Sequence, residues 1–195
     1  MKIALDPGHG GMFSGAIGIL PERLLEKNVT LSICRKLAQF LRSNGHRAIL
    51  TRTDDSQLAP QLSDDLAKRA EIANKAMAEL FVSVHCNAFT DQYPEGMETW
   101  YQPESAASLE LATLVQGSLG ERFPDHVNRG LKPKNLLLFR QLNVPACHVE
   151  TEFITNPAQL DFLAAESNHD KLAQAIGAGI LKLISQQQGK TKKRR

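Results

Sequence analysis

The sequence predicts a single α/β domain in which helices flank a twisted, mostly parallel sheet. Short apolar runs alternate with longer segments of helical periodicity from one end of the chain to the other, an order typical of layered α/β proteins. The 195 residues are enough to bury a core without disulfides or structural metals. A content of 23% charged and 42% apolar residues is ordinary for a globular protein.

The first half of the chain shows the alternation clearly. Lys2 to Leu5 is the first predicted strand. A helix is predicted from Glu26 to Ser43, because apolar residues recur three and four positions apart until Asn44-Gly45 supplies a stop. Arg47 to Arg52 is the second strand, and Ser63 with the two acids after it begins the next helix.

The second half continues the pattern without internal repeats. The further predicted strands are Phe81 to His85, Glu98 to Tyr101, Leu136 to Phe139 and Ala146 to Glu150. The further predicted helices run from Ser105 to Arg122, onward from Asn156-Pro157, and from about Lys171 to Gln187. We expect residues 1–188 to form the domain and residues 189–195 to be a disordered basic tail.

The charge distribution argues against a nucleic-acid partner. The 23 basic and 21 acidic residues give a net charge of +2, but five of the basic residues lie in the last six positions. The rest of the chain is therefore mildly acidic and has no obvious basic face. Cys34, Cys86 and Cys147 have unrelated spacings and form no CxxC pair, so they favour neither a disulfide framework nor a thiolate metal site.

No apolar run is long enough to cross a bilayer, and the first residues resemble a strand rather than a signal peptide. We therefore expect no integral membrane segment. We also expect a monomer.

Three predicted strands end near a residue that can bind metal or transfer a proton. His9 follows the first strand between glycines, His85 closes FVSVH, and Glu150 closes ACHVE. Glycine permits tight turns and close approach of other groups, which would leave His9 accessible. In open α/β sheets ligands bind beyond the carboxyl ends of the strands, so these side chains are expected to converge there.

Two imidazoles and a carboxylate form a ligand set that zinc accepts at a hydrolytic site. If Glu150 is kept for proton transfer, another protein ligand is needed. Glu26, at the start of the first helix, and Glu22, four residues earlier, are both candidates. Helix geometry does not decide between them, although the return of the chain to the sheet favours Glu26.

The motifs together resemble the zinc-dependent N-acetylmuramoyl-L-alanine amidases of the Amidase_3 family. They are, in order, LDPGHGG, LLEKNVTLSICRKLAQFLR, RAEIAN with FVSVHCNAF, NRGLK, and VPACHVETEFITN. The similarity extends from about Lys2 to Leu183. It implies a twisted sheet flanked by helices, one zinc ion, and hydrolysis of the amide between the lactyl group of muramic acid and L-alanine of the peptidoglycan stem peptide. It also implies action on the cell wall, in the periplasm or outside the cell. The lack of a signal peptide in this sequence then favours a phage lysin or a trimmed domain.

The resemblance also assigns residues to roles. It implies that His9, Glu26 and His85 bind zinc and that Glu150 is the catalytic glutamate. Two other functions stay open: a module of the same fold that binds peptidoglycan without cleaving it, and a zinc peptidase that cuts within the stem peptide.

Two residues depart from the family pattern. Glu152 stands where the family usually has glycine, and His148 stands where the family is usually aliphatic. Because side chains alternate along a strand, His148 should share a face with Glu150, and we favour a packing or supporting role over a ligand role.

Substrate contacts are expected from Arg129, in a loop at NRGLK, and from Asn87. For Arg129 a capping role or a surface ion pair is an equal alternative. The segment from Asn87 to Ser105 is too short to hold both a strand and a helix that would block the zinc. We therefore expect an open groove without built-in inhibition.

Overall fold

In a computed structural model of the protein, residues 1–19 and 23–192 are described. Within these ranges the strands are β1 (Lys2–Pro7), β2 (Ile17–Ile19), β3 (Arg23–Leu25), β4 (Arg47–Leu50), β5 (Leu80–Asn87), β6 (Met97–Tyr101), β7 (Asn128–Pro133) and β8 (Ala146–Phe153). The helices are α1 (Glu26–Ser43), α2 (Leu62–Lys75), α3 (Ala106–Arg122), α4 (Leu137–Arg140), α5 (Pro157–Ala164) and α6 (Glu166–Lys192).

The main sheet confirms the predicted α/β class. Its strand order is β4-β1-β5-β8-β6-β7, and in the described part of the chain only the β6–β8 pair is antiparallel. The strands β2 and β3 form a separate antiparallel hairpin between β1 and α1. The sheet is therefore mostly parallel, with β1, β5 and β8 adjacent at its centre.

Helices cover both faces of the sheet, and side-chain alternation divides the core between them. Ile3, Val82 and Val149 pack with the apolar sides of α1, α3 and α6. Phe81 and Ala146, whose side chains point to the opposite face, pack with α2 and α4 in a second cluster. Toward the carboxyl ends of the strands, the face that carries Phe81 and Ala146 presents polar side chains instead of apolar ones.

Two predictions about the segment before β8 are wrong. Leu136 to Phe139 is not a strand, since α4 covers Leu137–Arg140. Its apolar run is short, and such runs do not distinguish a strand from a buried turn of helix. NRGLK is not a loop, because it forms β7 and pairs in parallel with β6. As a strand at the edge of the sheet, β7 has exposed polar positions that resemble a loop in sequence.

The remaining helices and strands differ from the predictions in small ways. The β2–β3 hairpin was not expected, and Glu22, the alternative metal ligand, lies outside the described residues. Helix α6 continues past Gln187 to Lys192 and so includes the start of the basic segment; residues 193–195 lie outside the described ranges. No helix in the described part combines the length and apolar character needed to span a bilayer.

A buried ion network joins α2 to β1. The guanidinium of Arg69 lies 2.6 Å from Asp65 Oδ1 and 2.9 Å from Asp6 Oδ1, and all three side chains are at most 2% exposed. Thr51 and Ser83 donate hydroxyl hydrogen bonds to the carboxylate of Asp6. Burial alone would raise the pKa of Asp6, but Arg69 and the two hydroxyls outweigh it and lower that pKa.

Replacing Arg69 with methionine should destabilise the fold strongly, because Asp6 and Asp65 would stay buried without their partner. Losing one member of a buried ion pair costs about 3–5 kcal/mol. Urea denaturation at neutral pH measures this change. Lys68→Met is the control, since Lys68 is more than half exposed in its pair with Glu71 and such pairs contribute at most about 1 kcal/mol.

The pH dependence gives the prediction a second test. Because the pKa of Asp6 is lowered in the folded state, its stabilising contribution is present above about pH 4 and is lost on acidification. The difference in the free energy of unfolding between wild type and R69M should therefore become smaller as the pH falls below 4. An R69M protein within about 1 kcal/mol of wild type at neutral pH would contradict this account of the network.

Candidate active site

His9, Glu26 and His85 come together beyond the carboxyl ends of β1 and β5. Nε2 of His9 lies 3.1 Å from Glu26 Oε2, and Nδ1 of His85 lies 2.9 Å from Glu26 Oε1. One nitrogen or oxygen from each residue lies within 4.8 Å of the others, and among the described residues this is the group that could hold a metal ion. The structure thus brings together the three residues expected as ligands.

Glu26 occupies a fixed position because its carboxylate also accepts two backbone hydrogen bonds. The amide of Ala16 donates to Oε2 at 2.8 Å, and the amide of Cys86 donates to Oε1 at 3.0 Å. Burial alone would raise the pKa of Glu26, but the hydrogen bonds with His85 and His9 hold it well below its usual range. The carboxylate is therefore ionised at neutral pH, the form that binds metal.

His85 is also held in the form that a metal requires. Burial is the main reason that its pKa is lowered, and repulsion from His148 adds to the effect. A neutral imidazole keeps a nitrogen lone pair available for a metal ion.

Two glycines are required by the close packing around this group. A Cβ on Gly8 would lie 2.3 Å from the ring of His85. A Cβ on Gly15 would lie 2.5 Å from Glu26 Oε2 and 2.7 Å from the ring of His9, and the φ of Gly15 is +68°. Any larger residue at either position would push the candidate ligands apart.

Two buried arginines fix the turn that carries His9. Arg52 donates from Nε to the carbonyl of Pro7 and from Nη2 to that of Gly8. Arg69 donates to the carbonyls of Pro7 and His9 at 2.7 and 2.6 Å. His9 has a φ of 63°, an unusual value for a residue with a Cβ, so these bonds hold a conformation that the chain alone disfavours.

Glu150 lies beside the candidate ligands on the next strand. It pairs with His85 in the β5–β8 register, so both side chains leave the sheet on the same face. Its Oε1 lies 2.8 Å from Nε2 of His148. Its Oε2 is buried without a hydrogen-bond partner, and such an unpaired oxygen is costly and typical of functional sites.

The two residues expected to contact substrate are bonded instead to Glu98. Arg129 donates from Nε to Glu98 Oε2 at 2.8 Å, and Asn87 donates to Glu98 Oε1 at 3.3 Å. Burial alone would raise the pKa of Glu98, but Arg129 and Trp100 outweigh it and lower that pKa. Arg129 thus forms an ion pair, which was the alternative to substrate contact. Contact of either residue with substrate stays a prediction.

Glu98 and Trp100 were missed by reasoning from the sequence. In β6 they pair with Glu150 and His148 respectively, so these four side chains share one face. One feature of the sequence could have indicated them. Glu98 and Trp100 are two positions apart in a predicted strand, as His148 and Glu150 are in theirs. Only the antiparallel β6–β8 pairing shows that the two strands are neighbours.

The side chain of Glu152 and the three thiols are not part of the candidate group. Glu152 accepts from the amide of Gly96 and lies 2.9 Å from Nδ1 of His126. It lines a cavity of about 340 Å³ that includes none of the candidate metal ligands. As expected, the thiols of Cys34, Cys86 and Cys147 are buried. Burial raises the pKa of each of them.

The candidate group opens to solvent. Residues 88–96, between β5 and β6, contain no helix. The side chains of His9 and His85 are 27% and 18% exposed. As expected, this segment contains no helix that could cover the candidate ligands; the open groove itself stays a prediction.

Comparisons with known proteins agree with this geometry. The family model described as N-acetylmuramoyl-L-alanine amidase, Amidase_3, matches residues 3–182. The germination-specific N-acetylmuramoyl-L-alanine amidase of Bacillus subtilis strain 168 is 31% identical over 192 residues, which cover 94% of this chain and 80% of that protein. The N-acetylmuramoyl-L-alanine amidase LytC of the same strain is 36% identical over 179 residues, or 91% of this chain but 34% of LytC.

A solved structure is similar over nearly the same length. The CwlD amidase from Clostridioides difficile, determined in complex with the GerS lipoprotein, has a TM-score of 0.88 and 34% sequence identity, covering 94% of this chain and 98% of that chain. The family match spans well over half of the sequence and includes all of the candidate site residues. The chain therefore belongs to the Amidase_3 family of N-acetylmuramoyl-L-alanine amidases.

Proposed function

We propose that this chain is a zinc-dependent hydrolase of cell-wall peptidoglycan. It cleaves the amide between the lactyl group of N-acetylmuramic acid and L-alanine of the stem peptide. The observation that carries the proposal is the convergence of His9, Glu26 and His85 beside a buried carboxylate, in a chain of this family. One chain supplies all of these residues.

The donor set fits a single zinc ion held by His9, Glu26 and His85. Two imidazole nitrogens and one carboxylate oxygen are ligands that zinc accepts, and three protein ligands are typical of catalytic rather than structural sites. The unpartnered Oε2 of Glu150 supports a catalytic site here, since a purely structural site has no use for it. When bound, zinc supplies a Lewis acid that polarises the scissile carbonyl and lowers the pKa of water.

Glu150 moves the proton in this reaction. Its Oε2 accepts a proton as water attacks the carbonyl carbon, and it returns that proton to the alanine nitrogen as the carbon–nitrogen bond breaks. The amine then leaves as a neutral group rather than as an amide anion. The bond from His148 to Oε1 leaves Oε2 available for both transfers.

Substrate contacts by Arg129 and Asn87 are part of the proposal. Both are bonded to Glu98, whose strand pairs with that of Glu150. The side chain of Arg129 is about one third exposed, so part of its guanidinium can face a carboxylate of the muropeptide while its Nε stays bonded to Glu98.

The isolated chain with zinc should release intact stem peptides from purified cell walls without an activator, because the segment between β5 and β6 contains no helix that could cover the candidate ligands. Mass spectrometry of the digest should find peptides that begin with L-alanine, together with unbroken glycan strands. Cleavage within the stem peptide would instead indicate a zinc peptidase, and binding without any release would indicate a non-catalytic module. A strict requirement for an activator protein would contradict the open groove.

Replacing Glu150 with glutamine should separate proton transfer from metal binding. E150Q keeps the size of the side chain but loses its basicity, and general acid–base groups contribute about 10²- to 10⁴-fold to rate. Turnover should fall by that factor while the zinc content, measured by plasma mass spectrometry, stays near one ion per chain. E26Q is the matched carboxylate variant and should lose zinc together with activity. An active E150Q, or one without zinc, would contradict the assigned roles.

A further inference from the structure

His148 occupies a stack of rings next to the proposed zinc site. Its ring lies 4.2 Å from that of His85 with an angle of 18° between the planes. On the other side, the indole of Trp100 lies 4.6 Å away and is nearly parallel, at 5°. His148 is only 7% exposed. With a neighbour against each face, the imidazole has little freedom to turn.

The edge of this ring points at the catalytic carboxylate. Nε2 of His148 lies 2.8 Å from Glu150 Oε1. An ionised carboxylate only accepts hydrogen bonds, so Nε2 must carry the proton and donate it. The residues are two positions apart in β8 and therefore leave the strand on the same face.

We propose that His148 is a positioning residue that holds Glu150 through Oε1 and thereby keeps Oε2 free and correctly oriented for proton transfer. This inference rests on the proposed function. A glutamate side chain has three rotatable bonds, and one donor on one oxygen restricts all of them. The donor itself is fixed by stacking, so the orientation of Oε2 depends on the ring stack.

A row of polar contacts supports the stack from the edge of the sheet. The indole of Trp100 donates from Nε1 to Glu98 Oε1 at 2.7 Å. The other oxygen of Glu98 is held by Arg129. Arg129 therefore acts on the site through Glu98 and Trp100, in addition to any contact with substrate. The row runs from β7 through β6 to β8.

A role as metal ligand does not fit His148 as well. Its Nε2 is committed to Glu150. In the described residues the group close enough to hold an ion consists of His9, Glu26 and His85. Removing His148 should therefore affect catalysis and not the metal, which gives the inference a specific signature.

The test compares His148→Leu with His148→Gln. H148L fills similar space without a donor, whereas H148Q keeps an amide N–H near the position of Nε2. Supporting partners of catalytic and metal sites typically contribute about 10- to 100-fold. With a soluble muropeptide we expect kcat of H148L to fall by about that factor, with KM within about threefold and zinc content unchanged. H148Q should recover most of the lost kcat.

The hydrogen bond between His148 and Glu150 can also be tested independently of catalysis, by NMR spectroscopy of metal-free protein labelled with ¹⁵N-histidine. Its spectrum should contain a downfield Nε2–H proton from His148, assigned by its absence in H148Q and lost or shifted in E150A. His126→Leu is the matched control because it removes the equivalent bond to Glu152, and its kcat should stay within about twofold of wild type.

The adverse outcomes distinguish failure of the positioning role from failure of the proposed function. Unchanged kcat in H148L, equal damage in H148L and H148Q, loss of zinc in H148L, or a missing Nε2–H signal would overturn the positioning role. If wild type with bound zinc releases no stem peptide, the proposed function fails, and the positioning role fails with it. Wild-type turnover with an unaffected H148L rejects the positioning role alone.

Discussion

The carboxylate of Glu26 is the point on which the rest of the site depends. It begins α1, and its oxygens contact one histidine from the turn after β1 and another from β5. The same oxygens accept the amides of Ala16 and Cys86. A buried carboxylate is stable only when its oxygens are satisfied, so the turn after β1, the segment at Ala16 and strand β5 must all meet the start of α1. Those four contacts define where a metal ion can be held.

The parallel sheet supplies the second part of the arrangement. The adjacent strands β1, β5 and β8 present His9, His85 and Glu150 at one edge, and side-chain alternation directs the latter two to the same face. Beneath them, the buried Arg69 joins the carboxylates of β1 and α2 and also holds the carbonyls of the His9 turn. Fold stability and site geometry are thus coupled through the same guanidinium.

Much of this could be predicted from the sequence, because the site residues lie where strands end. His9, His85 and Glu150 follow apolar runs, and parallel strands bring their carboxyl ends together. Helix geometry did not decide between Glu26 and Glu22. The return of the chain to the sheet favoured Glu26, and the resemblance to a family assigned it as the ligand. Residues joined only by long-range pairing were missed: Glu98 and Trp100 join the site because β6 lies antiparallel beside β8.

The errors have a similar origin. A short apolar run at residues 136–139 forms a helix that packs on α2, and the polar NRGLK segment becomes a strand by adding to the edge of the sheet. Neither outcome is encoded in local periodicity. The contact of Arg129 could not be predicted from local sequence either, since its bond to Glu98 depends on two strands that no local pattern places side by side.

The most direct measurement is anomalous diffraction at the zinc edge from crystals grown with zinc. We expect one strong peak within about 2.0–2.2 Å of a nitrogen of His9, a nitrogen of His85 and an oxygen of Glu26, with Glu150 near the ion but not bound to it. A peak elsewhere in the protein, or these three side chains turned away from one another with zinc present, would contradict the account.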